Sequence, residues 1–231
     1  MTHAFRLVAK ALSLQVPPRA LIWGLMNKLN YVFRTGNRRF EFERLYLESP
    51  DPWNYRSSTY ERDKYQRVLE CVLKWRRASG SVLEIGCSVG VFSQLMARKF
   101  DKVTAIDVSK EALRAAAEHN RDETNIRFLH DDLRSLNLSD RYDVIVCADV
   151  LYYIREKDAR KVCTQLDRHL APNGVIVMMT GISDGNEDNK PNFFYFDGWE
   201  QVFGGYFERV FGEVIQDSLR PYQIVVFSRR D

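Results

Sequence analysis

Apolar positions in the first 40 residues come in short runs broken by cations. "HAFRLVAKALSLQV" and "RALIWGLMNKLNYVF" read as two short amphipathic helices, and Pro17-Pro18 between them stops one before the other begins. Neither has the run of about 18 apolar residues that a membrane span needs. "ESPDPWNYRSS" is a connector, because Pro50 and Pro52 forbid regular structure; Ser57 or Ser58 can cap the next helix. That helix is "TYERDKYQRVLECVLKWRR", with Tyr65, Val68, Leu69, Val72 and Trp75 at spacings of three and four.

From residue 81 the period changes. The strand-like runs "SVLEIG", "KVTAID", "NIRFLH", "YDVIVCA" and "GVIVMMT" alternate with helix-like runs, and near-continuous apolar strands in such an alternation predict a parallel sheet covered on both faces. At the end, "ERVFGEVIQDSL" and "PYQIVVFSRR" join directly around Arg220-Pro221, which predicts an antiparallel hairpin. The expectation is an α/β, Rossmann-like sheet of seven strands, mostly parallel, preceded by a helical extension. We divide the chain into a basic helical arm (1–40), a connector with a covering helix (41–80), and an α/β domain (81–231) carrying an insertion near 181–205.

Composition is that of an ordinary soluble globular protein, 45% hydrophobic and 28% charged over 231 residues. Charge distribution adds more. Residues 1–40 hold seven Arg or Lys and no acid, so the net +3 of the whole chain leaves the other 191 residues at −4. Such an arm suits a helical layer on the body or on a second subunit, a peripheral contact with the inner face of a membrane, or a targeting segment. Four cysteines without a C-x-x-C pair read as buried thiols of a reducing, cytoplasmic compartment, and four histidines without ligand spacing imply no metal site.

Candidate chemistry centres on "VLEIGCSVG", residues 82–90. Gly86-Cys87-Ser88-Val89-Gly90 spells G-x-S-x-G, the elbow that exposes a hydrolytic serine. That reading wants earlier strands to supply an oxyanion loop, and here only helix and connector precede; the available base, His169, lies in a helical run. The alternative is a cofactor turn. Ligands of open α/β sheets bind beyond the carboxyl ends of the central strands, with a carboxylate on the neighbouring strand tip for the ribose. Asp107 ends the second strand 21 residues after Gly86. A dinucleotide fingerprint fails, since Ser88 and Val91 stand where glycines are needed, and no P-loop Gly-Lys-Ser/Thr comes after them. Glu84 inside the strand would repel phosphate but suits a cationic, phosphate-free nucleoside such as S-adenosyl-L-methionine.

Taken in order, "VLEIGCSVG", "AIDVS", "HDDL", "YDVIVCADVLYY" and "LAPNGVIVMM" resemble the successive motifs of class I S-adenosylmethionine-dependent methyltransferases over residues 81–231. More narrowly, "FERLYLESPDPWNYRSSTYERDKY" with "LEIGCSVGVFS" and "VLYY" resembles the nodulation N-methyltransferase (NodS) group, which methylates the amine of a partly deacetylated chitooligosaccharide. The basic arm and residues 181–205 depart from that pattern.

The resemblance implies roles. Gly86 and Gly90 would let the loop approach the cofactor, with Cys87 and Ser88 lining it and Glu84 reaching its ammonium group. Asp107 would take the ribose hydroxyls and Val108 the adenine face. Asp132 and Leu133 would hold the adenine edge, with Asp131 the competing assignment. Ala148 and Asp149 would face the methyl group, and Tyr152 or Tyr153 would wall the transfer site. Trp53, Ser58 and Tyr60 would cover the methionine end, or else form a hydrophobic seam. In the insertion, Asp184, Glu187 and Asp188 would draw in a cationic amine, and Phe193, Phe194, Tyr195 and Trp199 would stack on sugar faces. The expected reaction is methyl transfer to a small-molecule or glycan amine, releasing S-adenosyl-L-homocysteine. A hydroxyl acceptor is the alternative and would need a base such as Asp149 or a tyrosine. Nucleic acid is disfavoured, because "ADVLYY" replaces the Asn/Asp-Pro-Pro-aromatic motif of amino-methylating DNA enzymes and the body is acidic.

Overall fold

A computed structural model describes residues 38–76, 80–182, 196–217 and 220–230. The paired helices expected in the arm, and with them its membrane or subunit contact, lie outside the described residues, as do Asp184, Glu187, Asp188, Phe193, Phe194 and Tyr195.

Two helices come first. α1 (Arg38–Glu48) crosses the boundary expected at residue 40 and ends before Ser49-Pro50, where proline forbids its continuation. In the connector, the Asp51 carboxylate accepts the amides of Tyr55 and Arg56, each at 2.9 Å, folding the loop back on itself. α2 (Thr59–Trp75) starts at Ser58, whose hydroxyl accepts the Glu61 amide at 3.2 Å. Acid in its first turn and Lys74 in its last suit the helix dipole.

The sheet is built from the rest of the chain. In order come β1 (Ser81–Ile85), α3 (Val91–Ala97), β2 (Lys102–Asp107), α4 (Lys110–His119), β3 (Ile126–His130), β4 (Tyr142–Ala148), α5 (Glu156–His169), β5 (Leu170–Gly181), α6 (Phe196–Phe203), β6 (Phe207–Ile215) and β7 (Tyr222–Arg229). The spatial order is β3-β2-β1-β4-β5-β7-β6. β1 to β5 pair in parallel, whereas β7 pairs antiparallel with both β5 and β6, so the terminal hairpin expected around Arg220-Pro221 closes the sheet.

Strand alternation sends neighbouring side chains to opposite layers. Val82, Val144, Val146 and Val226 pack with Tyr65, Val68 and Val72 of α2 and Phe92 and Met96 of α3. Leu83, Ile145, Ile176 and Phe227 pack with Val162, Cys163 and Leu166 of α5. Trp199, expected on a sugar-facing lid, is only 2% exposed and joins this second layer against Phe203. Its helix is amphipathic, and its indole is worth more buried than as a platform in water. Among the described residues, no helix is long and apolar enough to cross a membrane.

Candidate active site

Reversal of strand order between β1 and β4 opens a crevice beyond their carboxyl ends, the position where open α/β sheets bind ligands. A cleft of about 900 Å³, its open mouth included, occupies that place. It is floored by Ile85, Gly86, Ser88, Asp107 and Ala148.

The loop after β1 is held in left-handed conformations: φ is +74° at Gly86, +51° at Ser88 and +75° at Gly90. At Gly86 a side chain would meet Val150 Cγ2 at 2.8 Å, so glycine is what lets Val150, which lines the cleft, pack against the loop. Gly90 answers to a different neighbour. A Cβ on it would come within 2.5 Å of Asn120 Nδ2 and 3.0 Å of Ala116 Cβ, so its role is to seat α3 against α4, away from the cleft.

Asp107 is 8% exposed and bolts the loop to β2. One carboxylate oxygen accepts the Ser88 amide and the other the Ser109 amide, both at 2.9 Å. Burial pushes its carboxyl above the ordinary range, and these N–H donors counter part of that. The Ser88 hydroxyl accepts a hydrogen bond from Tyr46 on α1. His169, the base the elbow reading required, is 1% exposed and spends its ring nitrogens on the carbonyls of Gln165 and Leu138, at 2.8 and 3.1 Å. The hydrolytic arrangement is therefore not built.

At the β2–β3 side, Val108, Asp131, Asp132, Leu133 and Arg134 line the cleft. The Asp132 carboxylate accepts from the Arg134 amide at 2.9 Å and from its guanidinium at 2.5 Å, and Arg39 of α1 adds a contact at 2.9 Å. Burial opposes its charge, yet these bonds hold its pKa down at about 2. Two guanidiniums fill the lone-pair positions of one carboxylate, which leaves no acceptor for a further donor while Arg39 stays in place. Asp131 is engaged by the amides of Asp132 and Asn137, at 2.7 and 3.0 Å.

At the β4 side, Asp149 adopts φ +50° and donates its amide to the Met179 carbonyl at 3.0 Å. Its carboxylate contacts Lys64 Nζ at 2.6 Å, and Lys64 also contacts Glu61 at 2.5 Å. The Lys64 side chain is 5% exposed; burial disfavours its charge, but the two carboxylates more than compensate and raise its pKa. Aromatic residues wall this end: Phe42 meets Tyr153 edge-on at 5.0 Å, and Trp53 lies between Tyr46 and Tyr55 at 5.5 and 6.3 Å.

The same arrangement of elements occurs in known proteins. The family model described as "Nodulation protein S (NodS)" matches residues 37–183. The chain belongs to the nodulation protein S family. "Nodulation protein S" of Azorhizobium caulinodans is 34% identical over 112 residues, 48% of this chain and 53% of that protein. The Sinorhizobium fredii protein of the same description is 28% identical over 137 residues, 59% and 63% of the two chains. The chain thus spans less than two thirds of the length of either relative. A "Ubiquinone biosynthesis O-methyltransferase" of Psychrobacter arcticus is 32% identical over 148 residues, 62% of this chain and 54% of that one. Among solved structures, the N-methyltransferase NodS from Bradyrhizobium japonicum WM9 in complex with S-adenosyl-l-homocysteine superposes with a TM-score of 0.74 at 22% identity, over 84% of this chain and all of that one. The fold is that of this structure.

In this member of the family, the residues expected at the site divide by whether they face the cleft. Gly86, Ser88, Asp107, Val108, Asp132, Leu133, Ala148, Asp149, Trp53 and Tyr153 line the cleft. Glu84 does not; it sits beneath the loop, 4% exposed, accepting the Ser93 hydroxyl, and burial lifts its pKa to about 8. Cys87 is buried below the same loop. Tyr152 packs behind Tyr153, with ring centroids 4.5 Å apart. Ser58 is spent as the α2 cap, and Tyr60 donates to the Arg220 carbonyl at 2.9 Å, outside the cleft wall. Sequence reasoning missed Arg39, Phe42, Tyr46, Tyr55, Tyr65 and Arg134 in the wall, and Lys64 behind it. α1 is the main omission. It lies across the strand tips, with Arg39 on Asp132, Glu43 accepting the Ser109 hydroxyl at 2.7 Å and Tyr46 on Ser88. The aromatic and charged positions of "RRFEFERLYLE" were the available signal, obscured because they face a cleft made by distant loops.

Proposed function

We propose that the protein is an S-adenosyl-L-methionine-dependent methyltransferase that transfers the methyl group to an amine of an amino-sugar-like small molecule or glycoconjugate. One observation carries the cofactor reading: Asp107, buried at the tip of β2, clamps a positive-φ glycine loop through the Ser88 amide and still lines the cleft. A carboxylate so placed fits ribose hydroxyls. A phosphate would meet Asp107, Asp131 and Asp149 in the cleft wall, where the two guanidiniums, Arg39 and Arg134, are already paired with Asp132.

Bound there, S-adenosylmethionine supplies an activated methyl on a sulfonium, and the protein contributes orientation and exclusion of water. Asp107 and the Ser88 loop would hold the ribose. Val108 and Leu133 would flank the adenine, with Asp132 held by Arg39 and Arg134. Gly86, Ala148 and Asp149 would border the reacting end, and Phe42, Trp53, Tyr55 and Tyr153 would shut out solvent. A neutral amine attacks without a strong base, whereas a hydroxyl needs one. Asp149 is tied to Lys64, and burial raises the hydroxyl pKa of Tyr55 and Tyr65 well beyond the ordinary value, so none of these three is a ready base for a hydroxyl acceptor. The family's N-methyltransferase structure supports nitrogen as acceptor; the resemblance to an O-methyltransferase keeps oxygen as the second reading. We place the enzyme in the cytoplasm, and the seven cations and no acid of residues 1–40 suit contact with an anionic membrane surface.

Calorimetric titration with S-adenosylmethionine tests the cofactor reading. Micromolar binding that Asp107→Ala abolishes and Ser88→Ala only weakens is expected. Absence of binding by the wild-type protein would overturn it.

A further inference from the structure

Next to the methyl end of the cleft, α2 and the tip of β4 enclose three charges that do not cancel. Glu61 and Lys64 project from α2, and Asp149 comes directly after β4. Lys64 Nζ lies 2.5 Å from Glu61 Oε2 and 2.6 Å from Asp149 Oδ2, so one ammonium serves two carboxylates. Water is largely kept out: the side chains of Lys64, Glu61 and Asp149 are 5%, 10% and 14% exposed. Among the described residues no second cation pairs with either carboxylate, and the cluster keeps one negative charge in excess. Its field reaches the cleft wall. Burial first, and then the charges of Glu61 and Asp149, raise the hydroxyl pKa of Tyr65, and the same two carboxylates add to the rise at Tyr55. Both tyrosines line the cleft beside Asp149. An uncompensated charge inside a protein is costly, and its presence in a cleft points to a ligand of opposite sign.

We propose that this cluster is the counter-charge for the sulfonium of S-adenosylmethionine, and that it makes the site favour the methyl donor over the demethylated product. The proposal rests on the methyltransferase reading and adds to it a basis for cofactor selection. Glu61, Lys64 and Asp149 together carry −1, which one sulfonium cancels. In the transfer, the acceptor's lone pair forms the bond to the methyl carbon, and the electron pair of the broken sulfur–carbon bond stays on sulfur. Positive charge thereby leaves sulfur for the acceptor, so the cluster no longer holds what remains in the cofactor site, and product release is favoured. The ammonium and carboxylate of the amino-acid part are common to donor and product and cancel in the comparison. Lys64 sets the size of the effect. Without it two carboxylates would repel each other in the interior; with it a single charge is left over. Of the three groups only Asp149 lines the cleft, so Glu61 acts through its charge and Lys64 is a positioning residue. A unit charge within about 10 Å, at an effective dielectric of about 20, changes an affinity by more than about tenfold.

The test is calorimetric titration of the full chain with S-adenosylmethionine, S-adenosyl-L-homocysteine and sinefungin, in which an amine-bearing carbon, protonated at neutral pH, stands in for the methylsulfonium. Wild-type protein is expected to bind the two cationic ligands at least about tenfold more tightly than S-adenosyl-L-homocysteine. Because the charges are buried, that ratio should survive about 0.5 M NaCl. Glu61→Gln keeps the shape and removes the excess charge. It should bring the ratio to within about threefold of unity, chiefly by weakening the cationic ligands, and Glu61→Asp should restore part of it. Asp149→Asn removes the same charge from the other side of Lys64 and should do likewise, so either variant serves if the other fails to fold. Equal affinities for donor and product in the wild-type protein, or tighter binding of the product, overturn the proposal. So does a parallel loss of all three ligands in Glu61→Gln, which would leave Glu61 a structural role only, and so does a ratio that vanishes in salt, which would trace it to exposed charges. Failure of the wild-type protein to bind any of the three removes the methyltransferase reading itself, whereas binding without preference removes the counter-charge alone.

Discussion

Replacing Glu84 by Gln tests whether the carboxyl under the glycine loop is a ligand group or a neutral part of the core. It is 4% exposed and its pKa is raised from an ordinary 4.5 to about 8, chiefly by burial, with the Ser93 hydroxyl pulling the other way and Asp107 adding to the rise. A raised folded-state pKa gives stability that is present in full below pH 4.5 and is lost as the pH climbs toward 8, since only the unfolded chain releases the proton in that window. The slope is about 1.4 kcal/mol per pH unit, so of order 3 kcal/mol disappears between pH 4.5 and pH 7. Gln cannot ionise and keeps an oxygen for Ser93. Urea unfolding, followed by circular dichroism from pH 5 to pH 8.5, should show Glu84→Gln gaining on the wild-type protein at roughly that slope. Groups common to both proteins cancel in the difference. A difference flat to within about 0.5 kcal/mol across the range would refute the reasoning. Glu84 would then be ionised in the folded protein and available to an ammonium group.

The same contacts set the outcome of other perturbations. Asp107→Asn has to turn its amide –NH₂ toward either the Ser88 or the Ser109 N–H, two donors now served by the two carboxylate oxygens. It should cost about 1–3 kcal/mol in urea unfolding and at least tenfold in S-adenosyl-L-homocysteine affinity by calorimetry. Gly90→Ala meets both a positive φ and a 2.5 Å approach to Asn120, so a loss of about 2–3 kcal/mol in thermal unfolding is expected. Trp199→Ala should destabilise by about 3–5 kcal/mol while leaving S-adenosyl-L-homocysteine affinity unchanged in the protein that stays folded; a selective loss of binding would return that indole to the site.

Periodicity alone determined most of the architecture. Near-continuous apolar runs such as "YDVIVCA" left these segments no arrangement but a sheet buried on both faces, and Arg220-Pro221 between two strand-like runs forced an antiparallel return. Glycine spacing and Asp107 marked the cofactor turn for a similarly local reason: φ beyond zero and a strand-tip carboxylate are demands that neighbours in sequence express. Tertiary structure decided the rest, because charge and burial are properties of what a distant element brings. Glu84 is near pKa 8 because the fold buries it, and Asp132 is near 2 mainly through Arg134, two positions on, with Arg39 of α1 adding a further contact from 93 positions away. Lys64 reads as one cation in a charged helix, yet packing of α2 under β4 puts it between Glu61 and Asp149, away from water. Trp199 is the same case on the apolar side. Its surroundings in sequence resemble an exposed insertion, and only the gap beside α5 and β7 made the core its lowest-energy position.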